Sequence, residues 1–221
     1  MTRERQGRIQ TEDVPILHAP DDYSPTLWSR WFTPSRPVEI DWGCGKGRFL
    51  LAHAAHHPDR DFLGVDLQLR RLGKLNQRAR DRQIANIRLV CADIRLTAEQ
   101  VVPDRAVDVC YLFFPDPWPK RKHHPRRLVN PAFLNTLYRL LKPAGVIHLA
   151  TDHADYFTHI NRVAEGDPRF DRIPPFLPRD EERTDFELIF VRQAESVHRL
   201  SLKKREPAVD NPTGFLSQCG P

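Results

Sequence analysis

Val-Asp-Val-Cys-Tyr-Leu-Phe-Phe-Pro-Asp-Pro-Trp-Pro-Lys, residues 107–120, decides how this chain folds. Val107–Phe114 carries apolar residues on both faces, the pattern of a strand buried in a parallel sheet. The run stops at Pro115-Asp116-Pro117. Two prolines fix φ on either side of Asp116 and remove two backbone donors, so a carboxylate sits on a rigid turn just past the strand. Trp118 then offers a flat face. Lys120 opens a basic stretch, Lys-Arg-Lys-His-His-Pro-Arg-Arg (120–127). A stiff carboxylate, an aromatic ring and clustered cations suit a flat polar base attached to phosphate.

On either side of this stretch, short apolar runs alternate with helical patterns. Val38–Trp42 reads as a strand ending at Gly43, Phe62–Val65 as a second ending at Asp66, and Ile87–Ala92 as a third ending at Asp93. Val146–Ala150 is a fifth, ending at Thr151-Asp152. Between them, Gly47–His57 reads as a helix, and Leu69, Leu72, Leu75 and Ala79 recur at helical spacing. Asn130-Pro131 is an N-cap followed by proline at N1, with Phe133, Leu137, Leu140 and Leu141 following at helical spacing. The sequence therefore predicts an α/β, doubly wound, mostly parallel sheet. Residues 1–36 fall outside the alternation as an N-terminal extension, 37–195 form the domain, and 196–221 read as a charged C-terminal tail.

The chain has 221 residues, with 34 Lys and Arg against 29 Asp and Glu, a net charge of +5. A pI near 9.2 permits a nucleic-acid partner without demanding one. Cys44, Cys91, Cys110 and Cys219 are widely spaced with no Cys-x-x-Cys pair, which favours reduced thiols in the cytoplasm. No apolar stretch approaches the ~18 residues of a membrane span, and Met1–Val14 lacks the apolar core of a secretory signal. His53, His56 and His57 crowd one helix end, but no Cys or Asp converges on them in sequence, so no metal site is expected. Nothing calls for an obligatory protein partner.

Ligands of open α/β sheets bind at the carboxyl ends of the strands, and here those ends carry a glycine loop, Asp66, Asp93, Asp116 and Asp152. The loop Gly43-Cys44-Gly45-Lys46-Gly47 lacks the spacing of a dinucleotide site and the Gly-Lys-Ser/Thr of a P-loop. Asp41, just before it, would repel a pyrophosphate and attract an ammonium or sulfonium. Asp66 stands where an acid accepts ribose hydroxyls, and Asp93 where one accepts an adenine amine. The ligand that fits is a cationic, phosphate-free adenosine, S-adenosylmethionine.

From about Val38 to Glu187 the sequence resembles the tRNA (guanine-N7)-methyltransferases. Phe-Phe-Pro-Asp-Pro-Trp-x-Lys (113–120) is the most specific piece. Phe-Leu-Gly-Val-Asp (62–66), Arg-Arg-Leu-Val-Asn-Pro-x-Phe (126–133), Ala-Thr-Asp (150–152) and Thr-Asp-Phe-Glu (184–187) support it. The resemblance implies a seven-stranded, Rossmann-like class I methyltransferase fold. It implies methyl transfer from S-adenosylmethionine to N7 of a guanine in the tRNA variable loop, leaving S-adenosylhomocysteine, with no metal. It assigns cofactor contacts to Asp41, Gly43, Gly45, Gly47, Asp66, Asp93 and Asp116, with Asp116 also catalytic. Glu39, two residues before Asp41, rivals it for the first-strand role. Lys120, Asp152, Thr184, Asp185, Phe186 and Glu187 fall on substrate-binding positions. Asp185 stands where relatives carry Lys or another residue. The basic cluster implies RNA phosphate contacts from Arg121, Lys122, Arg126 and Arg127, and Arg3, Arg5 and Arg8 could add to them. Trp118 or Phe186 would stack on an extruded base. The alternatives are a methyltransferase for another RNA or a small molecule, and a non-catalytic RNA-binding subunit.

Overall fold

The computed structural model describes residues 16–18, 25–193 and 195–206. Arg3, Arg5, Arg8 and Cys219 lie outside them.

The strands are β1 (Ile16–His18), β2 (Val38–Trp42), β3 (Asp61–Asp66), β4 (Ile87–Cys91), β5 (Val107–Phe113), β6 (Leu141–Thr151), β7 (Phe170–Ile173) and β8 (His198–Lys204). They form one sheet in the order β1-β4-β3-β2-β5-β6-β8-β7. Every pair from β1 through β6 is parallel, and β8 runs antiparallel to both neighbours. The seven strands β2–β8 carry the expected architecture. Ile16–His18, within the N-terminal extension, adds an eighth at the edge beside β4.

The helices are α1 (Pro25–Trp31), α2 (Arg48–His56), α3 (Leu69–Asp81), α4 (Ile94–Gln100), α5 (Pro131–Leu140), α6 (Ala154–Glu165) and α7 (Asp185–Arg192). Two apolar layers flank the sheet. One is built on Val38, Ile40, Trp42, Leu63 and Val65 with α4–α6, and the other on Phe62, Leu89, α2 and α3. The alternation along β2 explains this: Val38, Ile40 and Trp42 point into the first layer, leaving Glu39 and Asp41 on the opposite face. In α3, Leu72, Leu75 and Ala79 are buried while Arg70 and Lys74 are exposed, the stripe its spacing predicts. Asn130 caps α5, its side chain accepting from Phe133 N at 3.0 Å. That closes one of the donors a helix start leaves open, with proline supplying N1.

The charged segment beyond residue 196 is not a tail over its first part. His198–Lys204 is inserted between β6 and β7 and pairs with β6 from Val146 to Thr151. Leu200 and Leu202 alternate into the core, and Lys204 turns inward to donate to Tyr138 O and Leu141 O at 2.7 and 2.6 Å. An ammonium spent on carbonyls at a helix end reads in sequence as one more surface charge. The strand expected over Val146–Ala150 also starts earlier, at Leu141, which pairs with Val107 before a bulge.

Candidate functional site

The polar residues read at five strand ends come together along one edge of the sheet. Spatial order follows β4-β3-β2-β5-β6, so the edge reads Asp93, Asp66, the glycine loop, the Pro-Asp-Pro turn and Asp152. The strand order reverses at β2, whose two neighbours are β3 and β5. The crevice of such a switch point lies between the glycine loop and Asp116.

Gly43, Gly45 and Gly47 all have positive φ. The requirement is sharpest at Gly47: its φ is +71° and an added Cβ would lie 2.2 Å from Leu75 Cδ1. Only glycine allows α3 to pack this close to the start of α2. Asp66 fixes the loop. It is buried, its Oδ2 accepts from Gly45 N at 3.0 Å, and its Oδ1 accepts from Gln68 N at 2.8 Å. Arg71 Nη1 lies 3.7 Å from Oδ2. A carboxylate offers about four acceptor positions, so capacity remains for two hydroxyls.

Asp41 sits beneath this loop, 4 % exposed. It makes no hydrogen bond or ion pair among the described residues. Burial first, and the Asp66 carboxylate second, push its carboxyl from 3.8 to about 7. The His53 charge opposes this only in part, and a buried acid so weakly compensated is costly.

Glu39, by contrast, is already committed to protein partners. It is fully buried, ion-paired with Arg60, and accepts from Tyr111 Oη at 2.7 Å. Burial pushes its carboxyl up, but bonds to His53, Arg60 and Tyr111 outweigh that and leave it below its ordinary value. His53 Nε2 lies 3.3 Å from Glu39 Oε2, and its Nδ1 lies 3.0 Å from Glu182 Oε1. Burial depresses the His53 imidazole, yet the two carboxylates carry it above its ordinary value.

Asp93 is the N-cap of α4, its Oδ1 accepting from Arg95 N and Leu96 N at 2.8 and 3.2 Å. One oxygen is thus spent on the helix, and the exposed side chain keeps the other toward solvent.

The Pro-Asp-Pro turn is bracketed by two strained residues, Phe114 at φ +53° and Trp118 at φ +45°. A bulky residue in the left-handed region costs on the order of 1–3 kcal/mol and persists only where its surroundings enforce it. Phe114 N donates to Ala150 O at 2.8 Å, and its ring packs 5.5 Å from that of Phe190. On the far side Arg127 Nε donates to Pro117 O at 2.9 Å. Asp116 itself is exposed and makes no hydrogen bond or ion pair among the described residues.

The basic cluster divides in two. Arg121–Arg126 form a 3₁₀ turn preceded by Lys120, and Lys120, Arg121, Lys122 and Arg126 are exposed. Arg126 lies over the Trp118 ring, 5.0 Å from its centroid, so one face of that ring is already covered. Arg127 corrects the expectation of a phosphate contact. It is 2 % exposed, ion-paired with Asp155, and 5.0 Å from the Tyr156 ring centroid. Its guanidinium clamps the Pro-Asp-Pro turn to α6. Alternation of charge in the sequence could not separate this arginine from its neighbours, because the partner acid lies 28 residues on.

Asp152 lies half-buried at the end of β6, facing the same edge. Thr184 caps α7, its hydroxyl accepting from Glu187 N at 3.0 Å. Glu187 also departs from expectation: it is buried and ion-paired with Arg199 of β8, with Arg183 at 3.9 Å. It anchors the segment, while Asp185 and Phe186 are exposed on the first turn. Phe186 is 54 % exposed and lies 6.4 Å from the Phe114 ring, within the same aromatic group as Phe190.

Comparison with known proteins agrees with this geometry. Residues 35–200 match the family described as "Putative methyltransferase". The tRNA (guanine-N(7)-)-methyltransferase of Alkalilimnicola ehrlichii is 37% identical over 194 residues, 86% of this chain and 82% of that protein. The enzyme of the same name from Edwardsiella ictaluri is 37% identical over 200 residues, 83% of this chain and 82% of its own length. Among solved structures, the 16S rRNA methyltransferase KamB superposes with a TM-score of 0.62 at 17% identity, covering 84% of this chain and 96% of that one. That likeness is one of fold, the class I methyltransferase sheet. Sequence, fold and the arrangement of strand-end residues place this chain in the tRNA (guanine-N(7)-)-methyltransferase family.

Proposed function

We propose that this chain methylates N7 of a guanine in the variable loop of tRNA, using S-adenosylmethionine. The observation that carries the reading is the arrangement at the switch point of the sheet. There a buried, unpaired Asp41 on β2 and a glycine loop pinned by Asp66 of β3 adjoin β5, whose end leads into the strained turn that holds Asp116. The residues fit the cofactor: a cation would neutralise Asp41, and Asp66 has acceptors left for ribose hydroxyls. Bound there, S-adenosylmethionine supplies an electrophilic methyl group.

The chain's own part is alignment. Guanine N7 carries a free lone pair at neutral pH, so no side chain has to remove a proton. Holding the reactants in line is the catalytic contribution. Asp116 accepts from the guanine N1–H and N2 amine, and the Arg127 clamp holds the turn that presents it. Phe186 offers an exposed ring for a base taken out of its stack. Lys120, Arg121, Lys122 and Arg126 lie along the approach as contacts for phosphates. Asp152 and the capped start of α7 frame the opposite side of the crevice.

The test is full-length protein with a tRNA transcript and S-adenosylmethionine, followed by mass spectrometry of the nucleosides. The expected product is 7-methylguanosine at one variable-loop position, lost in Asp116→Ala. A methyl group on another nucleoside, or none, would overturn the reading.

A further inference from the structure

The histidines that close α2 meet an acid from the other end of the chain. His53 lies in the last turn of α2 and His57 is its C-cap, their ring centroids 4.5 Å apart. Glu182 reaches them from the 3₁₀ turn Asp180–Glu182. One ligand-capable atom from each of the three lies within 4.8 Å of the other two. We infer that His53, His57 and Glu182 form a divalent transition-metal site of the zinc class, independent of the methyl-transfer reading.

Four features support it. First, the ligand set of two imidazoles and a carboxylate is one that zinc accepts. Second, the two buried ligands are oriented from behind. His53 directs Nδ1 at Glu182 Oε1, 3.0 Å away, while its Nε2 faces Glu39 Oε2 and Tyr111 Oη at 3.3 and 3.0 Å. A carboxylate behind the second ring nitrogen is the usual outer partner of a metal-bound histidine, fixing its tautomer and orientation. Glu182 Oε2 accepts from Arg179 N at 3.1 Å, which leaves Oε1 turned to the histidines. Third, access is graded: His53 and Glu182 are 5 % and 3 % exposed, whereas His57 is half-buried and opens to solvent. Fourth, the spacing is nearly right. Bonds of about 2.0–2.2 Å put tetrahedral ligand atoms roughly 3.3 Å apart, so atoms within 4.8 Å of one another have to close by at most about 1.5 Å, with the half-buried His57 ring free to move. Water would complete the coordination.

Such an ion would staple α2, which begins at the glycine loop, to the turn that leads into Thr184 and α7. It would thereby tie the cofactor side of the crevice to the substrate side. The competing occupant of the same space is a proton on His53, bridging Glu39 and Glu182.

The experiment uses full-length, chelator-treated protein. Zn²⁺ is titrated by calorimetry, and Co²⁺ is added separately to read geometry from its visible absorption. The proposal expects one equivalent of Zn²⁺, an intense tetrahedral Co²⁺ band, and a rise in Tm on adding Zn²⁺. His57→Ala alters only the half-buried ligand, and Glu182→Gln preserves the acceptor for Arg179 N. Each should weaken Zn²⁺ by at least about 10–100-fold and abolish the Co²⁺ band, with S-adenosylmethionine binding retained. No stoichiometric uptake would leave the proton as the occupant and overturn the site. Uptake that His57→Ala and Glu182→Gln leave unchanged would place the ion elsewhere and overturn it equally.

Discussion

Asp41→Asn should stabilise this protein, and the gain should grow with pH. The carboxyl is raised from 3.8 to about 7 by burial and by Asp66. An acid whose folded pKa lies above its unfolded value holds its proton more tightly when folded. Stability is therefore lost as pH rises from about 4 to about 7, and the cost is complete above 7. At about 1.36 kcal/mol per unit, the cost is on the order of 1.5 kcal/mol at pH 5 and on the order of 4 kcal/mol at pH 8. Protonated aspartate and asparagine are nearly isosteric, so the variant escapes this cost. The difference in unfolding free energy between variant and wild type should increase by about 2–3 kcal/mol from pH 5 to pH 8. Urea denaturation of both forms at the two pH values measures it. Adding S-adenosylmethionine should stabilise wild type at pH 8 more than Asp41→Asn, because the cation neutralises the acid. If variant and wild type differ equally at both pH values, Asp41 is not a buried, unpaired charge and its assignment to the cofactor loses its basis.

Arg126 and Arg127 should respond oppositely despite their adjacency. Arg126→Ala should raise KM for tRNA and flatten its salt dependence by about 0.7–0.9 log units. Arg127→Ala should lower kcat and leave the salt slope alone, so a flattened slope in Arg127→Ala would restore it as a phosphate contact. Asp66→Ala should weaken S-adenosylmethionine by about 1.5–3 kcal/mol from hydrogen bonds to a charged group. It should also loosen the glycine loop, seen as faster amide exchange at Gly45; an unchanged affinity in calorimetry would remove Asp66 from the cofactor site. Asp116→Asn should lose much of kcat because the amide presents a donor to the guanine N1–H, and Asp116→Ala should lose more. Neither the wild type nor Asp116→Asn should show a general-base limb near neutrality in kcat against pH. A wild-type limb that vanishes in Asn would replace positioning by base catalysis.

The parallel sheet, and the edge on which the candidate site residues gather, were legible in the amino-acid sequence. These follow from local rules. An apolar run ended by Pro-Asp-Pro, a strand ended by alternating glycines, and an Asn-Pro helix start each act within a few residues. Their carboxylates needed only the rule that ligands meet the strand ends. Which charges face water and which face each other depends on long-range packing. Arg127 becomes a clamp because Asp155 and Tyr156 close over it, and Glu187 an anchor because Arg199 arrives on β8. Lys204 enters the core because the end of α5 offers two carbonyls. The histidines of α2 lacked a converging acid until folding delivered Glu182, 129 residues further along. Periodicity records how a residue relates to its neighbours in the chain. The fate of a buried charge depends on partners brought near by the packing of distant elements, and no spacing records that.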